Sequence, residues 1–177
     1  MKWKQVNHSV LSATSSIVKI DRSDLSLLKL KALDSVDKRV RICAHQDSTD
    51  RLHEMLILIS QESYVRPHKH QNKSESFHVI DGELDVVIFD NLGNITETIP
   101  MGDVYSGKFF FYRLSTSYFH TVVPRSDWVI FHETTNGPFL KEDTVYAPWA
   151  PHEQDLERVA HFLCDLKGKI ETMSCAT

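Results

Sequence analysis

The sequence is poor in several things, and each shortage removes a class of function. It has no strong charge of either sign. Lys and Arg number 20 against 24 Asp and Glu, for a net charge of -4. Runs such as Asp37-Lys-Arg-Val-Arg41 are short and mixed in sign. Nothing here draws the chain to nucleic-acid phosphates or to an anionic membrane, so neither partner is expected. No stretch approaches the ~20 apolar residues of a membrane-spanning helix. No long apolar run follows the N-terminus, so no secretory signal is expected. The three cysteines, Cys43, Cys164 and Cys175, are far apart and odd in number. That argues against a disulfide framework and a cysteine zinc cluster, and points to a reducing, cytoplasmic, bacterial-type setting. Internal repeats and low-complexity segments are absent.

What remains is 177 residues, 41% hydrophobic and 25% charged, the composition of an ordinary globular domain with a substantial core. The first 16 residues are polar and lack clear periodicity. They predict a weakly ordered arm or a strand borrowed by a partner subunit. Ser16-Ile-Val-Lys-Ile20 suggests a short strand. Ser23-Asp24 suggests a helix start with Ser23 as N-cap, and Leu25, Leu28 and Ala32 extend it to about residue 35. From Arg39 the period changes to two, with Val40, Ile42 and Ala44 alternating with Arg39, Arg41 and Cys43. Short strands separated by turn clusters follow: Glu54 to Ile59, Tyr64 to His70, Ser76 to Ile80, Glu83 to Phe89, Ile95 to Ile99, Phe109 to Leu114, Phe119 to Val123 and Trp128 to Glu133. Strands at roughly 8–12-residue spacing predict an all-β sandwich or barrel. Near the C-terminus Leu156, Val159, Ala160, Leu163, Leu166 and Ile170 lie at helical spacing and predict a helix over 152–168, ended by Gly168.

The chemistry concentrates between Tyr64 and Gly82, in the spacing His68-x-His70-x4-Glu75-x6-Gly82. Alternation along a strand points His68 and His70 the same way. Gln71-Asn72-Lys73-Ser74 suits a turn, and Glu75 at the start of the return strand can face back toward them. Two imidazoles and a carboxylate across a hairpin are most of a divalent transition-metal site, and His120 is the best candidate for a fourth ligand. Zinc, iron, manganese and nickel all suit such ligands. Alternation turns His78 away from the site. His132 is either a second-layer partner or a satisfied core histidine, and Lys73 reads as solvated. Tyr64, four residues before His68, and Arg113, seven before His120, are tentative substrate-binding residues. Arg113 either grips an anionic ligand or pairs with Glu133 outside the barrel. Beyond the ligands no catalytic base stands out.

This spacing resembles the first signature of the cupin superfamily, and His120 falls where the histidine of the second signature would lie. The resemblance implies a jelly-roll barrel holding a metal on His68, His70, Glu75 and His120. Tyr64-Val-Arg-Pro-His-Lys-His70, Lys73-Ser-Glu-Ser-Phe77, Tyr112-Arg-Leu114, His120-Thr121, Phe131-His-Glu133, Gly137-Pro-Phe139 and Ala147-Pro-Trp-Ala-Pro151 narrow it further. Together they resemble the WbuC family of cupin-fold metalloproteins, over about residues 17–153. That division implies an arm over 1–16, a cupin domain over 17–153, and a helix and tail over 154–177. The family is found with O-antigen and other bacterial surface-polysaccharide biosynthesis genes. That setting implies a small, sugar-related ligand. The positive charge of a metal with Arg113 would suit an anionic one. The apolar residues of the arm and the terminal helix, with the pairing common among cupins, predict a homodimer. The expected function is that of a metal-dependent isomerase, hydrolase or oxygenase. The alternative is a non-catalytic, metal-dependent binding or regulatory module, and a purely structural metal is the third reading.

Overall fold

The structure, a computed structural model, describes residues 2–174; Cys175 lies outside them. Its elements in chain order are β1 (Trp3–Asn7), β2 (Val10–Ala13), α1 (Arg22–Asp34), β3 (Arg39–Cys43), β4 (Leu52–Ser60), β5 (His68–His70), β6 (Glu75–Asp81), β7 (Glu83–Phe89), β8 (Ile95–Gly102), β9 (Phe111–Leu114), β10 (Phe119–Pro124), β11 (Trp128–Asn136), β12 (Thr144–Tyr146) and α2 (Leu156–Ser174). A seven-stranded sheet runs β1-β2-β3-β4-β11-β6-β9, and a five-stranded sheet runs β12-β5-β10-β7-β8. All pairings are antiparallel except β2 with β3. Met101 at the end of β8 bridges Phe109, just before β9, and so ties the two sheets along one edge. This is a two-sheet jelly roll, flanked by one helix on each side.

Three apolar clusters explain the layering. Ile59, Phe77, Val79, Leu84, Val86, Ile88, Met101, Val122, Val129 and Phe131 fill the space between the sheets. Val40, Ile42, Leu56, Leu58 and Ile130 cover the outer face of the large sheet and meet Leu28 and Ala32 of α1. Val87, Phe89, Phe119 and Val123 cover the outer face of the small sheet and meet Leu166 and Ile170 of α2. Strands packed on both faces lose the polar alternation of a half-exposed strand, which is why Glu83–Phe89 reads as nearly continuous hydrophobic sequence. In β3 the apolar residues Val40 and Ile42 face α1, so Arg41 and Cys43 take the face that looks between the sheets. At the β6–β7 turn Gly82 has φ +81°, and a Cβ there would stand 2.4 Å from the Trp128 carbonyl oxygen. That position requires glycine.

Four expectations need correcting. The first 16 residues form a β-hairpin at the edge of the large sheet rather than a loose arm, with Trp3, Leu11 and Ala13 buried. Residues 16–20 are not a strand. The N-cap of α1 is Asp21, not Ser23. Asp21 Oδ1 accepts from the Ser23 and Asp24 amides, and Asp24 Oδ2 accepts from the Asp21 amide, a reciprocal capping box. Asp24 is fixed in that role because Trp3 Nε1 and Lys2 Nζ also donate to its buried carboxylate. Finally, α2 starts later than expected and runs through Gly168 to Ser174. A glycine inside a helix costs about 1 kcal/mol, whereas Ile170, two residues beyond it, is buried on the small sheet. Burying one such side chain is worth about 1.5–3 kcal/mol.

Candidate metal centre

Two strands of the small sheet and one of the large sheet meet at the polar end of the interior. His68 and His70 sit on β5, and His120 on β10 is the register partner of His68. Antiparallel register therefore sets two of the imidazoles side by side, and period-two alternation adds the third. One nitrogen from each of these histidines lies within 4.8 Å of the other two. Glu75, at the first position of β6, comes from the opposite sheet. Its Oε1 lies 2.9 Å from His120 Nε2 and its Oε2 lies 3.3 Å from His70 Nε2. The turn between His70 and Glu75 carries Asn72 at φ 58°, a left-handed conformation that asparagine tolerates well.

The other nitrogen of each ring is engaged away from the cluster. His68 Nδ1 lies 2.8 Å from the Arg66 carbonyl oxygen, and His120 Nδ1 lies 3.0 Å from that of Tyr118. His70 Nδ1 lies 3.3 Å from Thr144 Oγ1. A carbonyl can only accept, so Nδ1 of His68 and His120 must carry a proton, and in the neutral rings Nε2 faces inward as a lone pair. Outer partners of this kind orient metal-ligating histidines. Glu75 Oε1 and His120 Nε2 are buried 2.9 Å apart but make no well-aligned hydrogen bond. A lone pair and a carboxylate at that distance need a positive charge between them, either a proton on His120 Nε2 or a metal ion, and the donor set fits a divalent ion.

The electrostatics agree. Burial alone would raise the Glu75 carboxyl, but the charge of His120, then that of His70, holds it well below the usual carboxylate range. Burial alone would lower His120, and Glu75 instead raises it above the ordinary imidazole value. His68 is pushed down to about 3, first by burial and then by the positive charge that His120 and His70 would carry. It is therefore a neutral imidazole across the physiological range.

The remaining sequence candidates take varied places. Arg113 is exposed and on the outward face of β9, opposite buried Tyr112, while Glu133 looks inward; the two do not pair. Tyr64 donates from its hydroxyl to the Pro151 carbonyl oxygen at 3.0 Å and packs edge-on against Phe162 of α2. Those contacts tie it to the helix rather than to the histidines. His78 points outward beside Phe110. His132 is also on the outward face, half-exposed near Glu54 at 3.8 Å, and is not a core histidine. Lys73 is not solvated: its side chain is 9% exposed and pairs with Asp143 at 3.2 Å.

Two inward residues went unassigned in the sequence. Glu133 of β11 is in register with Met55 on one side and Phe77 on the other, and Phe77 is in register with Tyr112. This row lies one step inward from Glu75. Burial, then the charge of Glu75, pushes the Glu133 carboxyl up to about 7, against the opposing charges of Arg41 and His120. The buried Tyr112 hydroxyl has no hydrogen-bond partner. Counting alternation from Val129 through Phe131 to Glu133 was the signal that places Glu133 inside.

Comparison with known proteins bears on the fold. A family model described as a domain of unknown function, DUF6016, matches residues 20–101. No curated protein matches the chain. The crystal structure of protein SO0799 from Shewanella oneidensis is similar over 72% of this chain and 85% of that one, with a TM-score of 0.53 at 13% identity. An L-ribose isomerase from Cellulomonas parahominis is similar over 63% of this chain and 70% of its own, with a TM-score of 0.49 at 13% identity. Oxalate decarboxylase from Bacillus subtilis gives a TM-score of 0.42 at 16% identity over 55% of this chain and 24% of its own. At such identities likeness concerns the fold alone.

Proposed function

We propose that this protein is a metal-dependent jelly-roll enzyme acting on a small polar molecule, sugar-related or carboxylate-bearing. The setting is the one that the WbuC resemblance implies, bacterial surface-polysaccharide biosynthesis, and the working form is a cytoplasmic homodimer. The observation that carries the reading is the convergence of three imidazoles whose far nitrogens are engaged elsewhere, closed by a buried carboxylate from the opposite sheet. A divalent ion held by His68, His70, Glu75 and His120 would supply Lewis acidity toward a substrate hydroxyl or carbonyl oxygen. Around that point the chain supplies the rest. Glu133 carries no salt bridge, and a carboxyl that burial holds above its ordinary range can take a proton and return it. The Tyr112 hydroxyl is a free donor for a substrate oxygen. Phe77, Ile88 and Phe131 keep the inner wall apolar.

The experiment is to reconstitute the protein with each of zinc, iron, manganese and nickel and to incubate it with aldoses, ketoses, sugar acids and nucleotide sugars in deuterated water. NMR then reads conversion or deuterium uptake. The reading expects turnover with at least one pair, lost on Glu133→Gln with metal content unchanged. Stoichiometric metal and ligand binding with no turnover across the panel would favour the binding-module alternative.

A further inference from the structure

The turn that joins two of the candidate ligands is only four residues long, Gln71 to Ser74, and it is held from outside by one connection. Lys73 in that turn is nearly buried. Its ammonium donates to the Pro138 carbonyl oxygen at 2.8 Å, pairs with Asp143 at 3.2 Å, and lies 5.8 Å from the Phe139 ring centroid. All three partners belong to the segment linking β11 to β12. The same segment and its ends grip the turn on both sides of Lys73. The Gln71 amide donates to the Asp143 carbonyl oxygen at 2.7 Å, the Ser74 amide donates to Asn136 Oδ1 at 2.9 Å, and Thr135 Oγ1 donates to the Ser74 carbonyl oxygen at 3.0 Å. Thr144, directly after Asp143, is the outer partner of His70 Nδ1.

A lysine ammonium is removed from water only where its charge is compensated. Here compensation comes from a segment that also orients His70. The distance from His70 Nε2 to Glu75 Oε2 therefore depends on where that segment sits. We propose that Lys73 is a positioning residue of the metal centre: through its clasp on Pro138 and Asp143 it sets the spacing of His70 and Glu75 and so the affinity for a divalent ion. This rests on the metal reading above. A turn that was merely solvated would leave the lysine free in water, and its loss would not reach the ligands.

The test is titration of the metal-free protein with Co2+, reading both affinity and the visible absorption spectrum at saturation, with thermal unfolding of the metal-free forms alongside. Lys73→Met should lower Co2+ affinity by about ten- to a hundredfold, the range for outer partners of a metal site, and should alter the spectrum. Lys73→Arg should restore most of the affinity, because a guanidinium also reaches an acceptor pair. If Lys73→Met lowers only the unfolding temperature, with affinity and spectrum unchanged, the clasp is structural and the inference is overturned. Should that variant fail to fold, Asp143→Asn, which removes the counter-charge and keeps the shape, decides by the same two readouts. Failure of the unaltered protein to bind Co2+ overturns the metal reading and this inference together. Binding by the unaltered protein and by Lys73→Met with equal affinity overturns this inference alone.

Discussion

Two groups of histidines have their rings close together, and they behave differently. His68, His70 and His120 converge with their Nε2 atoms, and each has an outer partner for Nδ1. His45 and His53 instead stack face to face, with ring centroids 4.0 Å apart and planes 11° apart. His45 Nδ1 lies 3.2 Å from both the amide nitrogen and the carbonyl oxygen of Glu54. His53 is buried with its Nε2 unpartnered, hard against the backbone at Gly137. Among the described residues no carboxylate lies within ion-pair distance of the stack, and Asp50 acts on His45 only by its charge. Proximity of imidazoles is thus not sufficient for a ligand set. The outer hydrogen bonds decide which nitrogen presents a lone pair, and the opposite sheet decides whether a counter-charge is there to receive an ion.

The sharpest way to break this contrast is to remove one ring from each group. His70→Ala or His120→Ala should abolish stoichiometric divalent metal in elemental analysis after reconstitution. His53→Ala should leave it at one ion per chain and cost stability alone, about 2–3 kcal/mol for the lost packing, read by urea unfolding. Metal loss in His53→Ala would merge the two groups into one site.

The next effect is on pH. Ligand nitrogens must be unprotonated to bind an ion. Because His120 holds its proton above the ordinary imidazole value, the ion must displace that proton. Affinity should then rise about tenfold per pH unit through the neutral range, for one proton released per ion. Competition titrations between pH 6 and 8 check it, and a flat profile would contradict it. The stack has the opposite sign of shift. Burial, then the charge of His53, lowers His45 below 6.5. An imidazole depressed on folding adds stability that is present above the unfolded value and lost as pH falls below it. Unfolding of the metal-free protein between pH 7 and 5 should therefore show a slope that His45→Gln reduces.

How much of this was legible in the sequence follows from the range of each interaction. Alternation put His68 and His70 on one strand face, since that relation is local. The hairpin expected to bring Glu75 back is instead a crossover, because β5 and β6 lie in different sheets and do not pair. The jelly roll was legible because short strands and turn clusters recur along the chain. The capping box was misread because Asp21, Ser23 and Asp24 are all competent caps, and the register was decided by Trp3 and Lys2, some 20 residues away. Gly168 looked like a stop because local propensity said so, while burial of Ile170 on the small sheet carried the helix past it. Arg113 looked like a cavity residue because both faces of its strand are aromatic. Only the pairing of β9 with β6 shows that Tyr112 is the inward partner of Phe77.

The smallest expected effect follows from that pairing. Arg113→Ala removes an exposed, unpaired guanidinium on the outward face, so stability should change by no more than about 0.5 kcal/mol. Metal affinity should not change. A loss of metal affinity in that variant would mean that β9 presents its other face to the site.

The central claim is that His68, His70, Glu75 and His120 form one metal centre drawn from both sheets. Glu75→Gln tests it most directly, because it keeps the shape of the only ligand from the large sheet and removes its charge. Isothermal titration of the metal-free protein with Zn2+ should give one site per chain. In Glu75→Gln that binding should weaken by at least about tenfold. Unchanged stoichiometry and affinity in Glu75→Gln would show that the opposite sheet takes no part in holding the ion.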